Sequence, residues 1–220
     1  MTAPVILHGA AFHAAPFWPG GRALTLPGHG AAPRTRPTVA AYADAIAPRI
    51  GERPALIGHS LGGMVALSLA ARLGRAVRAL VLVDTPLRLP RPALHAPAAA
   101  MTPLLSRMPR LLAAVIARRT SNRAARPAIR ASVASMAPAG LQDAMRTALG
   151  FDGWPLIARL LCPILAIWGR GSLLTTPAQA AAIDALPTGR SLTYPGGHLV
   201  PFDTPDRFRK DVTTFLKAHP

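Results

Sequence analysis

The chain of 220 residues is poor in cysteine, lysine and acidic residues, and the first of these scarcities already excludes two kinds of site. Its single cysteine, Cys162, excludes a disulfide framework and a cysteine-based zinc site. No apolar run approaches the roughly 20 residues of a membrane-spanning helix. Residues 1–9 show neither a basic region nor a long apolar stretch, so we predict no signal peptide and a cytoplasmic protein.

Acidic residues are outnumbered by basic ones, 9 against 25, and the formal net charge is +16. Arginines make up all but two of the basic residues and are scattered without a block of like charge, which indicates a compositional bias. No zinc-finger spacing, basic zipper or RNA-binding aromatic motif accompanies them. We therefore predict no nucleic-acid partner and no membrane partner. The sequence also lacks a metal-ligand cluster, a phosphate-binding glycine loop and a cofactor fingerprint, so we expect no metal and no cofactor.

Short aliphatic runs alternate with helical patterns along most of the chain. The runs that predict strands are residues 4–8, 22–26, 55–58, 77–83, 163–168 and 191–194, and the helical patterns are 38–50, 61–73, 177–186 and 205–218. Strands that are hydrophobic throughout and alternate with helices indicate an α/β fold with a parallel sheet covered on both faces. The long stretch 86–161 is helical in composition without a strand pattern. It predicts a lid inserted into a core of residues 1–85 and 162–220.

One motif carries chemistry. Residues 58–62 read G-H-S-L-G, a G-x-S-x-G pattern at a strand-to-helix junction. On such a turn the serine takes strained backbone angles that lift its hydroxyl clear of the sheet, and the glycines are needed because strand and helix approach closely. Ser60 then lies at a helix N-terminus, where free N–H groups stabilise developing negative charge.

Four motifs in this order resemble the α/β-hydrolase superfamily, in particular its lidded carboxylesterases. They are the H-G pair at residues 8–9, L-P-G-H-G at 26–30, the G-H-S-L-G-G elbow at 58–63 and G-G-H-L-V-P at 196–201. The resemblance implies an α/β-hydrolase fold. The family has two further strands before the H-G pair, so this sheet would be shortened to about six strands, with the strand at 22–26 at an edge. An open edge is a pairing liability, which led us to hypothesise that another segment or a second copy, as a homodimer, covers it.

The resemblance also implies roles for individual residues. Ser60 would attack a carbonyl carbon, with His198 as general base, and the backbone N–H groups of Ala10 and Leu61 would form the oxyanion hole. His13 and His59 are candidates for substrate contact, although packing is the simpler interpretation for both.

The acid of the triad is the point at which the sequence departs from the family. The family places an aspartate in a W-G-x-x-D pattern, where this chain has Ser172. Among the nine acidic residues, Asp84 alone follows a core strand at the sheet edge where active sites gather, and some relatives take their acid from this strand end. We predict Asp84 as the acid, and a site lacking a working acid is the alternative.

These residues predict a serine hydrolase that cleaves a small carboxylic ester through an acyl-enzyme. A lyase or C–C bond hydrolase on the same fold, and a catalytically impaired hydrolase-like protein, remain alternatives.

Two groups of side chains in the predicted lid bear on the substrate. Leu104, Leu105, Met108, Leu111 and Leu112 would give an apolar inner face or ordinary helix packing. Arg118, Arg119, Arg123, Arg126 and Arg130 would bind an anionic substrate or form a solvated face.

Overall fold

Aliphatic side chains on both faces of the central strands build the sheet of this protein. A computed structural model describes residues 2–12, 20–90, 93 and 95–220. It contains six parallel strands in the order β2-β1-β3-β4-β5-β6. The strands are β1 (Val5–Leu7), β2 (Arg22–Leu24), β3 (Ala55–His59), β4 (Ala79–Val83), β5 (Ile164–Gly169) and β6 (Gly189–Tyr194). This confirms the predicted α/β fold with a six-stranded parallel sheet and β2 at one edge.

The helices of the described residues follow the predicted pattern closely. They are α1 (Val39–Ile46), α2 (Leu61–Leu73), α3 (His95–Ser106), α4 (Pro109–Ala117), α5 (Arg126–Ala134), α6 (Pro138–Leu149), α7 (Trp154–Ile157), α8 (Pro177–Asp184), α9 (Val200–Asp203) and α10 (Pro205–Ala218). Thr38 begins α1 as expected, because its hydroxyl accepts a hydrogen bond from the Ala41 N–H. The predicted helix to residue 50 instead ends at Ile46 and continues as a 3₁₀ turn, because Pro48 has no N–H to extend the α-helical ladder.

Helices cover both faces of the sheet. On one face α1 and α2 pack with the strands in a large apolar cluster that contains Tyr42 and Leu69. On the other face α10 contributes Phe208, Val212 and Leu216 to a second cluster. Because every side chain of β3 and β4 is buried, these two strands form the centre of the core.

Helices α3 to α7 lie between β4 and β5 in the chain, within the stretch predicted as a lid. Among the described residues of 86–161 there is no strand. A third apolar cluster joins α4 and α5 with Phe12 and Leu199 from loops of the core and with Phe202 from α9. The insertion is therefore packed onto the carboxyl-terminal end of the sheet. Its division from the core at residues 86 and 161 stays a prediction.

The edge strand β2 is short. It has three residues, of which Arg22 and Ala23 are exposed. A short edge offers few unpaired backbone groups to another chain. Elsewhere among the described residues, no helix is long and apolar enough to cross a membrane.

Candidate active site

The turn between β3 and α2 holds Ser60 in a strained conformation. Its φ of 52° and ψ of −119° are unusual for a residue with a side chain. The turn is tight enough that a Cβ on Gly58 would lie 2.5 Å from the Gly62 carbonyl oxygen. The Ser60 N–H donates to the Val83 carbonyl at 3.0 Å, which ties the turn to β4. Ser60 is therefore presented at the carboxyl end of the sheet by backbone geometry that glycine permits.

His198 lies in the loop between β6 and α9, where it meets Ser60. Its Nε2 is 3.0 Å from the Ser60 Oγ, and its Nδ1 is 2.6 Å from the Asp84 Oδ2. Because an ionised carboxylate only accepts hydrogen bonds, the Nδ1–H donates to Asp84, and Nε2 is left to accept from the serine hydroxyl. The structure thus brings the three predicted residues Ser60, His198 and Asp84 into one continuous chain of hydrogen bonds.

Asp84 follows β4 directly and is fully buried, with a positive φ of 39°. Its Oδ1 accepts from the Gly169 N–H at 2.9 Å, and its Oδ2 accepts from the Ser172 hydroxyl at 2.6 Å as well as from His198. Burial by itself would raise the pKa of Asp84. The hydrogen bond and charge of His198, with the donors at Ser172 and Gly169, outweigh burial and hold that pKa below its ordinary value. The carboxylate therefore stays ionised beneath the imidazole.

Ser172 occupies the position at which the family pattern has its aspartate. Its hydroxyl donates to Asp84 and its Oγ also accepts from the Leu174 N–H at 3.2 Å. The serine is thus linked to the imidazole through the carboxylate of Asp84. Residues from the ends of both β4 and β5 therefore lie at the histidine. The carboxylate follows β4 in this chain, whereas the family pattern has it after β5.

His59 is fully buried directly before the serine and also lines the cavity in front of it. Its Nε2–H donates to the backbone oxygen of His198 at 3.0 Å, and the two rings lie 4.8 Å apart. Burial, together with the neighbouring His198, lowers the pKa of His59 to about 3. His59 is therefore neutral and holds the loop of the second histidine. His13, the other predicted contact, lies outside the described residues.

The predicted oxyanion donors flank the serine. Ala10 lines the same cavity as Ser60, and Leu61 is the first residue of α2, so its N–H has no partner within the helix. The loop of Ala10 is shaped by a hydrogen bond from the Phe12 N–H to the Gly9 carbonyl at 3.2 Å. His8 supports that loop, since its Nδ1–H donates to the Gly9 oxygen at 2.9 Å.

A mostly apolar cavity of about 290 Å³ opens in front of Ser60. Its lining residues are Gly9, Ala10, Ala11, Phe12, His59, Ser60, Met64, Pro86, Leu89, Thr102, Leu105, Leu112, Ile116, Arg119, Leu141, Met145, Ala148, Leu174, His198 and Leu199. Of the five apolar lid residues singled out in the sequence, only Leu105 and Leu112 line this cavity. The other three, Leu104, Met108 and Leu111, are exposed. A larger groove of about 1160 Å³ lies between α10 and the amino ends of β5 and β6, away from the serine.

Asp203 is a residue of the site region that the sequence did not single out. Its Oδ1 accepts from the Thr120 hydroxyl at 2.7 Å and from the Ser121 N–H at 2.8 Å, both in the insertion. Its Oδ2 accepts from the Gly197 N–H at 3.3 Å, next to His198. One carboxylate therefore joins the insertion to the histidine loop. No local pattern marks Asp203, because its partners in the insertion lie about 80 residues away in the chain.

Comparison with known proteins agrees with this geometry. A family model described as the alpha/beta hydrolase family matches residues 5–211. The chain belongs to the α/β-hydrolase family. The resemblance seen in the four sequence motifs is thereby confirmed. Among the described residues of this α/β hydrolase, no group of His, Cys, Asp or Glu side chains is arranged to hold a metal ion.

Several relatives have names that state an enzymatic activity. A pimeloyl-[acyl-carrier protein] methyl ester esterase of Neisseria meningitidis is 31% identical over 173 residues, which cover 73% of this chain and 67% of that protein. One of the same name from Aromatoleum aromaticum is 44% identical over 73 residues, which are 32% of this chain and only 29% of that protein. The crystal structure of an enol-lactonase from Burkholderia xenovorans has a TM-score of 0.84 at 22% identity, over 99% of this chain and 92% of its own. At that identity the likeness shows the fold alone.

Proposed function

We propose that this α/β hydrolase cleaves a small carboxylic ester by serine catalysis. The observation that carries the proposal is the chain of hydrogen bonds from Ser60 through His198 to the ionised Asp84, opening into an apolar cavity. A nucleophile, its base and the group that orients the base are the three parts that acyl transfer requires. The curated relatives, which are named as methyl ester esterases, support the same reaction class.

In the first half of the reaction, the Ser60 Oγ attacks the ester carbonyl carbon. Its proton passes to His198 Nε2, which lies 3.0 Å away. The negative charge that develops on the carbonyl oxygen is stabilised by the N–H groups of Ala10 and Leu61, a contribution of about 3 kcal/mol for each donor. The imidazolium then gives its proton to the leaving alcohol, and the acyl group remains on the serine.

In the second half, a water molecule takes the place of the alcohol. His198 accepts a proton from the water, whose oxygen attacks the acyl carbon, and then returns the proton to Ser60 as the acid leaves. Asp84 stabilises the imidazolium in both halves. It can do so because the pKa of the buried carboxyl is held below its ordinary value by the hydrogen bonds that it accepts.

We further propose that residues 86–161 act as a lid that defines the acyl site. Leu105, Leu112 and Met145 from this stretch line the cavity together with Phe12 from the core. These side chains suit an aliphatic acyl group and a small leaving alcohol. The substrate in the relatives' names is a methyl ester on a carrier-bound acyl chain, which also has an aliphatic acyl group and a small leaving alcohol. We therefore include methyl esters among the proposed substrates.

The test combines active-site labelling with turnover. We expect a fluorophosphonate probe to label Ser60 and the purified protein to hydrolyse p-nitrophenyl esters of short and medium chain length. Ser60→Ala should abolish both, whereas Ser135→Ala, at an exposed serine after α5, should change neither. A folded protein whose serine remains unlabelled would contradict the proposal. Labelling without hydrolysis of any ester would favour the lyase or C–C bond cleavage alternative.

A further inference from the structure

One arginine lines the cavity of the catalytic serine. Of the five lid arginines singled out in the sequence, Arg119 alone lines it, and no Asp or Glu does. Among the described residues Arg119 takes part in no ion pair, whereas five other arginines are paired with carboxylates: Arg34, Arg72, Arg88, Arg207 and Arg209. A residue with a permanent positive charge therefore lines a mostly apolar cavity, and among the described residues no carboxylate is paired with it.

The backbone of Arg119 is fixed close to the catalytic histidine. Arg119 follows α4, and its N–H donates to the Ile116 carbonyl at 3.0 Å. The next residue, Thr120, is bound to Asp203. A side-chain carbon built on Gly197 would lie 3.8 Å from the Arg119 carbonyl oxygen, so the arginine lies against the loop of His198. Arg119 is thus placed beside the histidine loop, on the insertion side of the cavity that it lines.

The cavity and the charge fit a substrate with two different ends. An aliphatic chain would bury against Leu105 and Leu112, while its ester carbonyl lies at Ser60. A guanidinium presents a planar fork of donors that matches a carboxylate. The formal net charge of +16 also attracts an anion toward the protein.

We propose that the enzyme prefers monoesters of aliphatic dicarboxylic acids, with Arg119 binding the free carboxylate at the end remote from the scissile ester. This proposal rests on the ester hydrolase function above. It makes Arg119 a specificity residue that adds binding energy without taking part in proton transfer.

The test compares charged and uncharged esters of equal length. Monomethyl adipate, pimelate and suberate are assayed against the corresponding monoamide methyl esters, which are polar but uncharged. We expect kcat/KM of the wild-type protein to be about tenfold higher for one or more of the acids, mainly through KM. Arg119→Gln should remove this preference, so that kcat/KM for the acids falls to about that for the monoamides. Arg119→Lys should keep part of it, because the charge remains while the fork is lost.

Arg118→Gln is the matched control, since Arg118 is adjacent and exposed but does not line the cavity. The proposal is overturned if Arg118→Gln and Arg119→Gln lose the preference for the acids equally, or if the wild-type protein shows no such preference. Hydrolysis of the monoamide methyl esters would in either case still support the ester hydrolase function. Binding of monomethyl pimelate to Ser60→Ala, measured by calorimetry with and without Arg119→Gln, gives a readout independent of turnover. If no ester is hydrolysed, this measurement decides: binding that is lost with Arg119→Gln supports the site, and binding that is unaffected refutes it.

Discussion

Asp84 combines three properties that a triad acid needs, and each comes from a different part of the chain. Burial removes competing water, the Gly169 N–H and Ser172 hydroxyl orient the carboxylate, and His198 supplies the opposing donor. Its positive φ of 39° is sustained by these contacts. Where the family pattern has its aspartate, Ser172 therefore donates to a carboxylate that comes from the end of the neighbouring strand and contacts His198.

The first residue-scale prediction concerns the roles of Asp84 and Ser172. Asp84→Asn should lower kcat by about 10⁴, because a neutral amide neither stabilises the imidazolium nor keeps Nδ1 protonated. Ser172→Asp should not raise activity, because a second carboxylate beside Asp84 would raise the pKa of the pair. Steady-state kinetics on a p-nitrophenyl ester measure both. A loss under tenfold for Asp84→Asn, with a gain for Ser172→Asp, would show that Asp84 is not the acid.

A second residue-scale prediction concerns stability and pH. The pKa of His59 is about 3 in the folded protein against an ordinary value of 6.5. Between these values the unfolded chain binds a proton at His59 that the folded chain does not, so the free energy of unfolding rises with pH across this window. His59→Gln, which keeps a donor for the His198 carbonyl, should therefore flatten the loss of stability on acidification from pH 6.5 toward 3. Urea denaturation at several pH values measures it. Parallel curves for the two proteins would contradict this prediction.

At the scale of elements, the site is made where the ends of β3, β4 and β6 meet the insertion. The Ser60 turn and the Asp84 end are joined directly by the hydrogen bond from the Ser60 N–H to Val83. The histidine loop is held from both sides. The His59 ring at the end of β3 donates to the His198 carbonyl, and the Gly171 N–H just after β5 donates to the Gly196 carbonyl at 2.8 Å. On the other side the Gly197 N–H donates to Asp203, which also binds the turn after α4.

The prediction at this scale is that Asp203 couples the insertion to His198. Asp203→Ala should lower kcat by about tenfold and increase amide hydrogen exchange around residues 118–122, because Thr120, Ser121 and Gly197 lose a shared acceptor. Asp206→Ala is the control, since that nearby carboxylate is exposed and, within the described part of the chain, forms its ion pair with Arg209 on its own helix. Equal effects of the two substitutions on kcat, or exchange that is unchanged around 118–122, would contradict the coupling.

At the scale of the whole molecule, β2 ends the sheet on one side, and no described strand pairs with its outer edge. Its three residues leave little backbone to pair with another strand. The hypothesis that a second copy covers this edge stays a prediction. Light scattering should then give twice the chain mass of 23.0 kDa. The Arg22 N–H donates inward to the Pro4 carbonyl at 2.8 Å, so the N–H of the next residue, Ala23, faces the open edge, and Ala23→Pro should shift the mass toward that of a single chain. A mass of 23.0 kDa for the unaltered protein at high concentration refutes the hypothesis.

The sequence by itself determined the order of strands and helices, the nucleophile turn and the two residues Ser60 and His198. These depend on local patterns, since aliphatic runs, glycine spacing and the G-x-S-x-G turn act over a few residues. It also made Asp84 the predicted acid, because only nine carboxylates are present and Asp84 alone follows a core strand at the sheet edge where active sites gather. Only the tertiary structure decided the contacts of Ser172, Asp203 and Arg119. Their partners lie on other elements far along the chain, so that neither periodicity nor motif spacing contains the information.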